Sequence, residues 1–168
     1  MIQPGYLQRM ARHNRWQNDS MYEAANTLSD ADRRQDRGSF FGSIHATLSH
    51  ILWADQIWMS RISDWEPPGT GIAGSTTLAE DWDKLRALRN TADRRFIDWV
   101  DKVTQDQIDG DLVYRDTSGA EQRRDRAMCL MQVFNHQTHH RGQVHAMLTA
   151  AGAKPQDTDL QVMPEAYF

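Results

Sequence analysis

"QVFNHQTHHRGQVHAMLTAAG" (132–152) is the stretch whose reading decides the fold. It begins and ends as an apolar helix, and Gly152 with Pro155 just beyond supplies the expected stop. Its middle is different, because three histidines fall within five positions, at 136, 139 and 140. His136 and His140 are one helical turn apart, so their side chains share a face. That face continues as Val133 on one side and as Gln143 and Met147 on the other. The inward stripe is thus apolar at both ends and polar in the centre. An unpartnered buried polar group costs roughly 1–3 kcal/mol, so two imidazoles there need compensation. A shared metal ion provides it, because neutral imidazole is a common ligand for zinc, nickel, copper and iron. His139 points about 100° away from His140. The pair 136/139 is the competing choice, and the register of Val133 and Met147 favours 136/140.

Two imidazoles do not close a site, and a catalytic zinc usually has three protein ligands with one position open. The third has to come from another helix. His50, in "ATLSHILWADQIW" (46–58), aligns with Ala46, Trp53, Ala54 and Ile57 on an apolar face. His45 projects about 140° from it and is the alternate third ligand or a pocket residue. His145 lies nearly opposite His136, and His13 has polar neighbours that suggest exposure; both read as ordinary histidines. A packed core histidine remains the simpler reading of His50 alone, and its value rises only beside the inward pair.

Around these segments the chain divides into four helical stretches. The first runs from about Tyr6 to Leu28, with Leu7, Met10, Ala11, Asn14, Met21, Ala24, Ala25 and Leu28 roughly on one side. A polar connection at 29–38, with room for one helical turn, leads to the second, Ser39 to about Ile62, with a serine cap after Gly38. So much of its circumference is apolar that it belongs in an interior or an interface, which makes a homodimer an expectation. The stretch 63–77 has two prolines and three glycines and reads as a long functional loop. The third helix spans Leu78–Val103, capped by Thr76 or Thr77, and the fourth spans Arg126–Ala151. Between them "LVYR" and "EQRR" flank "DTSG", a hairpin pattern within 109–125. The loop and the hairpin are candidates for a substrate-entry rim. In the tail, Leu160, Val162, Met163, Tyr167 and Phe168 offer apolar surface for docking. The expected architecture is all-α, an antiparallel four-helix bundle with a β-hairpin before the last helix, in a single domain over 1–168.

The composition excludes several functions. A net charge of −4 gives no footprint for nucleic acid, and the run "RRDR" (123–126) has acidic neighbours that mark a solvated helix start. Cys129 is the only cysteine, so no intramolecular disulfide exists, and its apolar neighbours suggest a packed thiol. No run approaches the ~20 apolar residues of a membrane span, and the N-terminus lacks a signal-peptide core, so a cytoplasmic location is expected. "GTGIAG" (69–74) has neither a preceding strand nor a lysine, so it is no phosphate loop. Asp81 and Asp83 sit at a helix start, where the macrodipole accounts for them.

"FFGSIHATLSHILWADQIWMSRI" (40–62), followed by the histidine-rich stretch quoted first, resembles the DinB/YfiT-like metalloprotein family. "HNRWQN" (13–18) is similar to the family's first-helix "YNxWxN" pattern, with His13 where tyrosine is common. The resemblance covers nearly the whole chain. It implies a four-helix bundle, commonly dimeric, holding one divalent ion on His50, His136 and His140. It also implies a low-molecular-weight thiol as co-reactant in some members, and a small-molecule substrate.

Zinc and nickel suit imidazole ligands about equally. An ion on three neutral imidazoles keeps its charge, so it lowers the pKa of bound water toward about 7 and favours thiolate over thiol. Gln143 is placed to orient the ligand or support a histidine, while Arg141 points off the histidine face and reads as structural more than as an anion clamp. The expected function is a metal-dependent thiol S-transferase or hydrolase acting on small electrophiles. The alternative is a non-catalytic metal-binding bundle that stabilises itself or reports stress.

Overall fold

The computed structural model describes residues 2–168. Its longest elements are four helices: α1 (Pro4–Asn26), α3 (Ile44–Ile62), α4 (Trp82–Val100) and α6 (Arg126–Ala150). Short helices α2 (Asp30–Arg34) and α5 (Gln105–Ile108) lie in the connections. Among the described residues a single antiparallel sheet pairs β1 (Asp111–Arg115) with β2 (Glu121–Asp125), in the register Val113 to Arg123. The fold is therefore mostly helical with one small hairpin, and the hairpin falls where the sequence pattern puts it. α1 packs on α4 and α6, and α3 packs on α6 and α4. Leu7, Ile44, Leu52, Leu85, Leu130 and Leu148 are fully enclosed between them.

Local chemistry sets the helix ends, and two starts differ from the sequence expectation. α3 begins at Ile44, because Ser43 accepts a hydrogen bond from the Ala46 amide. Ser39 instead belongs to a turn that closes on Gly42, whose φ of 75° suits glycine. α4 begins at Trp82 rather than Leu78, capped by the Asp81 carboxylate on the Lys84 amide. Thr76 and Thr77 are used up in a 3-10 turn, Ile72–Thr77. α6 starts on an Asp125 cap and ends on Gly152, with φ 82° and the Ala153 amide donating back to the Leu148 carbonyl.

The apolar circumference of α3 is covered within the chain, by α4, α6 and the 3-10 turn. The tail docks only in part: Met163 is buried and Tyr167 donates to Asp19, whereas Leu160, Val162 and Phe168 stay exposed. Cys129 is packed, as expected. No helix among the described residues is long and apolar enough to cross a membrane.

Candidate metal centre

α3 and α6 lie against each other and bring three imidazoles together. One ring nitrogen from each of His50, His136 and His140 lies within 4.8 Å of the other two. His50 and His140 are buried, while His136 is half-buried and opens the cluster toward solvent. The Nε2 atoms of His50 and His136 are 3.3 Å apart. Two nitrogens bound at about 2.05 Å to one tetrahedral ion are separated by roughly 3.3 Å. The spacing therefore fits the ion that the donor set suggests.

The remaining ring nitrogens are held by neighbours. His140 Nδ1 donates to Gln143 Oε1 at 2.8 Å, which leaves Nε2 with a free lone pair in the neutral ring. His50 Nδ1 pairs with Ser75 Oγ at 2.9 Å. Such outer partners fix the ring plane and the tautomer of a ligating histidine. Burial pushes the His50 pKa down to about 3 and that of His136 to about 4, and in each case neighbouring imidazoles add to the effect. Burial lowers His140 as well, against the hydrogen bond it donates to Gln143. All three are neutral at pH 7, the state in which imidazole binds a cation.

Phe41 lies over the cluster, its ring centroid 4.0 Å from His50 and 5.2 Å from His140. The turn around Gly42 thus closes one side with an apolar plate. Of the two expected rim segments, the loop arrives through Ser75 and through Thr70, whose carbonyl accepts from Trp53. The hairpin packs elsewhere, with Tyr114 against Trp58, about two turns along α3 from His50.

The other sequence candidates separate cleanly. His45 stands outside the cluster, and its Nε2 donates to the Ala79 carbonyl at 2.8 Å. His139 is exposed, and its Nε2 accepts from Gln143 at 3.4 Å. His13 corrects the expectation of an exposed residue: it is 7% exposed, because the tail folds back and the Thr158 carbonyl accepts a hydrogen bond from Nε2. Arg141 is likewise buried and bonds to Gln137 rather than directly to an acid.

Sequence reasoning missed a polar network in the same core. Arg89 lies between Asp55 at 2.5 Å and Asp93 at 2.7 Å. Asn18 donates to Asp93, and Gln137 to Asp55, so α1, α3, α4 and α6 all contribute. Burial raises both carboxyls against the pull of Arg89. A signal existed in Arg89 and Asp93, which are four apart and in register with Leu85 and Phe96.

The chain is a mostly helical protein in which two long helices bring three imidazoles into a position to hold a metal ion. It belongs to the DinB family, which matches residues 1–166. Over 160 residues it is 25% identical to Protein DinB of Bacillus subtilis strain 168, covering 90% of this chain and 89% of that protein. It is similar in structure to a DinB-like protein of Bacillus cereus ATCC 10987, with TM-score 0.61 and 17% identity over 84% of this chain and 90% of the other. A second similar structure is the DinB-like protein YjoA of Bacillus subtilis, with TM-score 0.62 and 16% identity over 89% of this chain and 96% of the other. These two likenesses speak for the fold.

Proposed function

We propose that the protein is a metal-dependent enzyme, an antiparallel four-helix bundle that holds one zinc or nickel ion on His50, His136 and His140. Its substrate is a small electrophile, attacked by a low-molecular-weight thiol or by water. One observation carries this reading: three neutral ring nitrogens from two helices lie within 4.8 Å, at a spacing an ion would set. A divalent ion supplies Lewis acidity that makes a thiol or water more nucleophilic at neutral pH. The chain does the rest. Ser75 and Gln143 hold the imidazole planes, and Phe41 keeps water off one side of the cluster. The half-buried His136 edge leaves an approach for substrate. A cytoplasmic homodimer completes the reading, and the exposed Tyr6, Met128 and Met131 surface on α1 and α6 is the apolar face open to a second copy.

Elemental analysis of untagged protein, reconstituted and desalted, tests this directly. The expected result is about one equivalent of zinc or nickel, lost in His140→Ala together with turnover in a screen of thiols against electrophilic acceptors. Metal-free wild-type protein, or an unchanged metal content in His140→Ala, sinks the site. Metal loss that unfolds the variant favours the alternative, an ion serving only to staple α3 to α6.

A further inference from the structure

His140 and Arg141 are consecutive, so their side chains leave α6 about 100° apart. Arg141 lines a cavity of about 300 Å³ between α1 and α6. Its walls include His13 and Gln17 of α1, Thr138 and His145 of α6, and Thr158 of the tail. Among the described residues no carboxylate lines it. Arg141 is 3% exposed. Its Nη1 donates to Gln137 Oε1 at 2.7 Å, and its Nη2 makes a long bond of 3.4 Å to Thr138 Oγ1. Both partners are neutral oxygens, and Gln137 stands between Arg141 and Asp55, whereas Arg89 touches Asp55 and Asp93 directly. A guanidinium has five N–H donors, so Arg141 has donors to spare.

The facing wall adds a second unmet group. His13 uses Nε2 on the Thr158 carbonyl at 3.2 Å, while its buried Nδ1 has no partner among the described residues. Gly142, also at the cavity, is a helix-interior glycine, which weakens a helix relative to alanine. A Cβ built there meets nothing within 4 Å, so packing does not demand glycine. Its effect is to leave the cavity open.

We propose that this cavity binds a small oxyanion, a carboxylate or phosphate group, with Arg141 meeting its charge through paired N–H donors. A proton taken up on His13 Nδ1 gives a second donor from the α1 wall. The site is independent of the metal reading, since none of the three clustered histidines lines it.

The test is melting and titration calorimetry of the whole protein with sodium phosphate or sodium acetate, against sodium chloride at equal ionic strength. A ligand of the folded state raises the melting temperature saturably. The expected result is such a rise with phosphate, acetate or both, and which of them acts identifies the source of the oxyanion. Gly142→Leu, which fills open space, weakens the response by about tenfold or more with metal content unchanged; Arg141→Gln does the same where it folds. A response no larger than that to chloride, or one that survives intact in Gly142→Leu, overturns the proposal.

Discussion

Two polar regions share the helical core, and they are balanced in different ways. Around Arg89 the chain supplies both signs of charge, with Asp55 and Asp93 as direct partners and Asn18 and Gln137 donating to those carboxylates. Around His50 it supplies three imidazoles and no acid. The first region balances its charge internally, so it reads as structure. The second gathers three ring nitrogens within 4.8 Å of one another, placed to hold a cation. The lesson is that burial alone does not mark a functional site. What marks it is burial with one half of the complementarity missing.

The contrast breaks most visibly when one member of each region is removed from metal-free protein. Arg89→Met leaves Asp55 and Asp93 facing each other without their cation, and losing one partner of a buried ion pair costs about 3–5 kcal/mol. His140→Leu removes an imidazole from a cluster that has no internal charge balance, and should cost less than about 1.5 kcal/mol. Urea unfolding of both variants in the presence of chelator measures the difference. Equal costs would mean that the histidines are packed as tightly into the fold as the ion pairs are.

A smaller effect sharpens the same comparison. Ser75→Ala leaves the three clustered nitrogens in place and removes only the partner of His50 Nδ1. Loss of such an outer hydrogen bond typically lowers metal affinity about 10–100-fold, with little change in metal-free stability. Competition against a chromophoric chelator reads this out. An unchanged affinity would show that helix packing alone orients His50.

How far each region was legible in the sequence follows from the distance over which its residues interact. His136 and His140 belong to one helix and one face, so spacing reveals them, and the apolar register of α3 singles out His50. The hairpin and the Gly152 stop are likewise local, set by turn residues a few positions apart. In the Arg89 network only the Arg89–Asp93 pair is local, and the partners on other helices lie 34 and 75 positions away, beyond the reach of any periodicity. Ser75 reaches His50 from a loop that has no pattern, 25 positions away. The misplaced helix starts have a similar cause. Several Ser, Thr and Asp residues were eligible caps, and the choice fell to the turns at Gly42 and at 72–77.

His13 gives the smallest effect, and one that separates a lone buried histidine from the cluster. Its exposure was misjudged because α1 is covered by a segment some 140 residues later, where Gln17 donates to the Asp157 carbonyl and Trp16 to Gln156. Burial lowers its pKa from 6.5, and Arg141 adds to the shift against the bond to Thr158. The sign follows from proton counting. Between the folded value and 6.5 the unfolded chain binds more protons at this site, so folding is favoured as pH rises. The contribution is fully present above 6.5 and is lost as pH falls through the folded value. It changes by at most about 1.4 kcal/mol per pH unit. His13→Phe removes this titration, so in chelator its urea midpoint should fall less steeply than the wild type's as pH drops below 6.5. The clustered histidines are lowered in the same direction and remain in both proteins, so the difference between the two curves isolates residue 13. Parallel curves would mean that His13 keeps its ordinary pKa in the folded chain, and hence that the tail does not seal it from water.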